Sequence, residues 1–90
     1  MPQYIFDIED VYPANIQNDQ LNTKIAEVRT EVIDRYNGTL LYNVLIPVTF
    51  HAYGVYPEIS SISKVIEKNY VKREVFFRVR RYIKKLRPFL

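Results

Sequence analysis

The residues best suited to chemistry in this chain are cations set among aromatic rings. Phe76, Arg78, Arg80, Tyr82 and Lys84 fall on alternate positions near the C-terminal end, with Arg81, Lys85 and Arg87 beside them. If the segment is a strand, the alternate five share one face. Cations interleaved with rings would give phosphate contacts and stacking surfaces, as binders of single-stranded nucleic acid require. The same pattern also suits a basic edge strand that resists edge-to-edge pairing, or cationic stems that cover apolar surface. Phe76, Arg78, Arg80, Arg81, Tyr82, Lys84 and Lys85 are therefore the candidate contacts for nucleic acid or for a protein partner.

The charge distribution singles out the same segment. From Lys72 to Leu90 eight basic residues stand against Glu74 alone, a local balance of +7 within a net charge of +3. The rest of the chain is acidic on balance, with Asp7, Glu9 and Asp10 close together. Such asymmetry implies either an acidic partner for the C-terminal segment or internal complementarity with the acidic N-terminal part.

Catalytic chemistry finds little to work with. There is no cysteine, which removes disulfides, thiolate metal sites and a thiol nucleophile together. His51 is the only histidine, and the residues around it offer no carboxylate for a metal. It reads as a hydrogen-bonded structural residue. Of Asp7, Glu9 and Asp10, only Asp7 and Glu9 could share a strand face, and that reads as the wet side of a sheet. Ser60, Ser61 and Ser63 lack a nearby base, and two glycines cannot write a phosphate-binding loop. The expectation is a protein that is not an enzyme, with no cofactor and no metal.

These residues must be positioned by one small domain, because 90 residues support a single modest core. Its organising stretch is 36–57, which contains no Asp, Glu, Lys or Arg. Leu40, Tyr42, Val44, Ile46, Val48, Phe50 and Ala52 alternate with Thr39, Asn43, Thr49 and His51, the period of a strand with one buried face. Two Asn, two Gly, two Pro, two Thr and one His in this stretch argue against a membrane span. Met1-Pro2-Gln3 has no basic region of the kind that opens a signal peptide. An intracellular protein, in cytoplasm or nucleus, is expected.

Around that strand the other elements follow. Tyr4 to Ile8 alternates as a short first strand, and Tyr12-Pro13-Ala14-Asn15 breaks it. In 21–36, Leu21, Ile25, Val28, Val32 and Tyr36 recur at steps of three and four, and Asn37-Gly38 makes a left-handed helix stop. The same residues also alternate, Ala26, Val28, Thr30 and Val32 against Glu27, Arg29 and Glu31, with Asn37-Gly38 as a hairpin turn. The helical match runs over more residues and is preferred. Residues 53–57 read as a loop, and Ile59, Ile62, Val65 and Ile66 as a short helix opening after Pro57. The last segment is open between a strand with Val75, Phe77, Val79 and Ile83 inward and a helix with a Phe76, Val79, Ile83 and Leu86 stripe. The fold class expected is α+β: a mostly antiparallel sheet of three to four strands, packed against one longer helix with a second short one.

Several short motifs invite a comparison. Ile8-Glu9-Asp10, Pro13, the 21–36 stripe, Tyr36-Asn37-Gly38, and then Phe77-Arg78-Val79, Ile83, Leu86 and Pro88-Phe89 follow one another at characteristic spacing. In this order the chain resembles the N-terminal tip domain of the larger stalk subunit of archaeal and eukaryotic RNA polymerases. It lacks that family's Gly-Asp-Gly-type turn, and 58–69 stands in its place. The resemblance implies a helix over 21–36, a final strand near 74–84, and docking onto the polymerase core or the smaller stalk subunit. A non-enzymatic docking domain on a transcription-related assembly is thus the leading expectation. A stand-alone nucleic-acid binder using the C-terminal segment is a second, and a homo-oligomer paired through an exposed strand is a third.

Overall fold

A computed structural model describes residues 2–90. Four strands come first, β1 (Gln3–Pro13), β2 (Lys24–Ile33), β3 (Leu40–His51) and β4 (Gly54–Pro57). Two helices follow, α1 (Ile59–Val65) and α2 (Asn69–Leu86), and a 3₁₀ turn at Arg87–Phe89 closes the chain. Each strand pairs antiparallel with the next, in the order β1-β2-β3-β4. The α+β class, with one longer and one short helix, is as expected from the sequence.

The helices cover one face of the sheet. On that face lie Ala26, Val28, Thr30 and Val32 of β2, Val44, Ile46, Val48 and Phe50 of β3, and Val55 of β4, all buried. From the helices come Ile62, Ile66, Val71, Val75, Val79 and Ile83. Tyr4, Phe6 and Ile8 of β1 lie half-buried against this core. The charge-free stretch is thus an inner strand, as its alternation implies, but Leu40 and Ala52 at its ends are exposed. Pro47 is tolerated in its middle for a geometric reason. Its carbonyl accepts from Glu58 N at 2.9 Å, so residue 47 faces away from β2 and its missing N–H leaves no hole in that ladder.

Three expectations are corrected and one open choice is decided. The segment 21–36 is not a helix: residues 24–33 form β2, with a loop on either side. Thr23, Ile25, Val28, Thr30, Val32 and Ile33 are β-branched and favour the pleated sheet, and Val28 and Val32 are four apart, which satisfies both periods. Tyr36, last in the supposed helical stripe, is 93% exposed. Second, the first strand is longer than Tyr4 to Ile8, because a register shift between Ile8 and Asp10 absorbs Glu9 as an extra residue and pairing continues to Pro13. Third, residues 54–57 are a short strand, not a loop. The C-terminal segment, open between strand and helix in the sequence, is a helix buried on Val71, Val75, Val79 and Ile83, so Phe76, Arg78, Arg80, Tyr82 and Lys84 do not share one face. The helix over 21–36 and the final strand implied by the stalk-tip resemblance are therefore a strand and a helix here.

Two loops are held by local side-chain bonds. Between β1 and β2, Asp19 accepts from the backbone of Leu21 and Thr23 at 3.1 and 2.6 Å. Those bonds hold its carboxyl below the usual range. Between β2 and β3, Gly38 N donates to Asp34 O at 2.9 Å with Gly38 at φ 73, one turn of helix closed by a left-handed glycine.

Candidate nucleic-acid interface

Helix α2 is built on Val71, Val75, Val79 and Ile83, which recur every fourth residue and are all buried. At 100° per residue, the opposite side of the helix then carries Tyr70, Arg73, Phe77, Arg80, Arg81 and Lys84, with Lys85 at its margin. All seven are exposed. From Arg73 to Lys85 the cations span about 18 Å of helix, at 1.5 Å per residue.

The candidate contact residues separate on this helix. Phe76 is half-buried and packs toward the core, with its ring centroid 5.4 Å from that of Phe77. Tyr82 is half-buried with its ring 5.4 Å from Phe6, and burial, with Asp7 adding to it, pushes its hydroxyl pKa up. Arg78 bridges to Glu74 one turn earlier at 3.2 Å, and its guanidinium carbon stands 4.5 Å above the Tyr4 ring. These three are structural. Arg80, Arg81, Lys84 and Lys85 remain on the solvent face. Arg80 Nε donates to Val55 O at 3.2 Å, which fixes the stem and leaves its two Nη groups without a partner among the described residues.

Arg73 and Phe77 join the exposed face although the alternate-position pattern omits them. Helical spacing, with steps of four, three and four through residues 73, 77, 80 and 84, is the signal that finds them.

The carboxylates lie elsewhere. Asp7, Glu9, Glu27 and Glu31 lie on strands whose other face is packed under the helices. Only Arg29 counters them in an ion pair, with Nε 2.9 Å from Glu9, and that bond holds the Glu9 carboxyl below its usual range. The only other ion pair among the described residues is Arg78 with Glu74. Arg73, Arg80, Arg81, Lys84 and Lys85 therefore have no carboxylate partner among the described residues. Of the two alternatives for the charge asymmetry, internal pairing between the basic segment and the N-terminal acids is not what the fold builds. His51 is half-buried, and its Nδ1 accepts from Tyr53 N at 3.1 Å. No group of three or more His, Asp or Glu among the described residues could hold a metal ion. No described helix is long and apolar enough to cross a membrane.

Beside the basic face runs an apolar slot of about 390 Å³ between α1 and α2. Ile59, Ile62, Phe76 and Phe77 form its walls, with Ser63, Lys72 and Arg73 around them. Around the start of α2 a second hollow, of about 380 Å³, gathers Tyr36, Tyr42 and Tyr70 with Asp34 and Lys68. Compared with known protein families, curated proteins and solved structures, the chain matches none of them.

Proposed function

We propose that this chain is a non-enzymatic binding module that holds a nucleic acid on the exposed face of α2. The observation that carries the reading is the row Arg73, Arg80, Arg81, Lys84 and Lys85: five cations on one side of a helix, none paired with a carboxylate among the described residues. Fixed cations on a rigid element release counterions when they meet phosphates, which makes the contact favourable and salt-dependent. The buried stripe of Val71, Val75, Val79 and Ile83 anchors the helix, so the backbone that carries the row is already ordered before binding.

Fluorescence anisotropy with a short labelled oligonucleotide at low salt tests this. Arg81→Glu with Lys84→Glu is expected to weaken binding by about 20-fold or more, from the loss of two phosphate contacts at moderate salt. Unchanged affinity in that double variant would refute the reading. Docking of the same face on an acidic surface of a transcription-related assembly, such as the polymerase core or its smaller stalk subunit, is a second proposal that the unpaired cations also serve. Capture of polymerase subunits, abolished by the same double variant, is the result expected of it.

A further inference from the structure

The slot between α1 and α2 adjoins the basic row, and Arg73 belongs to both. Its walls are unusual for a surface of this charge. Phe77 is 48% exposed and Ile59 64% exposed, so two apolar groups stand in solvent beside Lys72 and Arg73. Phe77 has no need to be there for the core, because Val71, Val75, Val79 and Ile83 already fill the buried stripe. Its ring is held edge-to-face against Phe76 at an interplanar angle of 81°, so its orientation is fixed from beneath.

We propose that this slot receives one unstacked base, so that the nucleic acid on α2 is a single strand. The inference rests on the nucleic-acid reading of the α2 face and specifies its ligand. An aromatic ring oriented by its neighbour offers a π-face on which a base can stack regardless of sequence. The cations at the rim stand where the phosphates flanking that base must run, and Arg73 adds a planar guanidinium for stacking or phosphate contact. Ser63 supplies a hydroxyl for the base edge. A duplex keeps its bases stacked and paired inside, so it can use the cationic row but not the slot. An anionic bilayer would call for a continuous apolar strip along the helix. On α2 the exposed apolar side chains are Tyr70 and Phe77, both in its N-terminal half, and from Arg80 to Lys85 the exposed face carries cations alone.

Anisotropy titrations of the full chain with a labelled oligothymidine, with a duplex of the same length and with phosphatidylserine vesicles separate the outcomes. The single strand is expected to bind more tightly than the duplex. Phe77→Ala should weaken single-strand binding about 5- to 100-fold, the range for removal of one base–aromatic stack, and leave duplex binding within about twofold. Phe77→Tyr should restore single-strand affinity. Phe77 is half in solvent, so circular dichroism of both variants should match the parent. Equal binding of both forms with no effect of Phe77→Ala overturns the slot and leaves the cationic row standing. Failure to bind either form at low salt overturns both. Vesicle binding that depends on Phe77, without oligonucleotide binding, assigns the slot to lipid and likewise overturns the proposal.

Discussion

Thr30 gives the sharpest test of the packing beneath the proposed interface. It is 0% exposed, on the helix-facing side of β2 between Phe6 of β1 and Val44 of β3, and its Oγ1 has no hydrogen-bond partner among the described residues. An unsatisfied buried hydroxyl costs about 1–3 kcal/mol, because it has lost its water without gaining a partner. Thr30→Val replaces that hydroxyl with a methyl group of similar shape and keeps the β-branch that the strand favours. A gain of about 1 kcal/mol follows, equivalent to a rise of about 4–8 °C in Tm for a domain of this size. Thr30→Ser is the control: it keeps the hydroxyl, loses a buried methyl, and should cost about 1 kcal/mol. Urea unfolding of the three proteins measures both changes, with a common m value showing that the same surface is exposed in each. A Thr30→Val protein less stable than the parent would refute the reasoning, because it would mean that the hydroxyl is satisfied inside the core.

Ile83 is 0% exposed at the C-terminal end of the α2 stripe, and Ile83→Ala should cost about 2–5 kcal/mol in the same urea assay. Loss of less than half a kcal/mol, on the order of a surface substitution, would show that the end of the helix is not docked. The tyrosines set an alkaline limit. Tyr4 and Tyr82 have hydroxyl pKa values raised above 10.0, chiefly by burial, so the unfolded chain releases those protons first. Their contribution is intact below the unfolded value and is lost as pH rises through the folded values. Urea midpoints should fall above about pH 10, and fall less in Tyr4→Phe with Tyr82→Phe. An equal alkaline loss in the double variant would contradict the assignment.

The inner strand was readable because its period is unambiguous: Val44, Ile46, Val48 and Phe50 are all buried, and Asn43, Thr49 and His51 face away. The two segments that resisted reading share one cause. Val28 and Val32 in β2, and Val71, Val75, Val79 and Ile83 in α2, are spaced by four, and a multiple of four fits both the strand and the helix. In β2 the β-branched content and the pairing on both sides decide for the sheet. The Asn37-Gly38 signal was double for a physical reason, since the hairpin closes with one helical turn and a left-handed glycine, the chemistry of a helix stop. In α2 the wrong period would bring Phe76, Arg78 and Tyr82 to the surface, whereas the helix turns them toward Phe77, Tyr4 and Phe6. The basic character of the segment was legible from composition. Which cations are free was not, because that depends on Glu74 lying one turn from Arg78 and on Asp7, Glu9, Asp10, Glu27 and Glu31 lying on the sheet.

The central claim is that a preformed row of unpaired cations on α2 neutralises phosphates, and the salt dependence of binding tests it most directly. With four to five phosphates engaged on a single strand, log K against log salt should have a slope of about −3. Removing Arg81 and Lys84 by Arg81→Ala with Lys84→Ala should flatten it by about 1.4, or two phosphates. A slope near zero in the parent, or the same slope in parent and variant, would contradict the account.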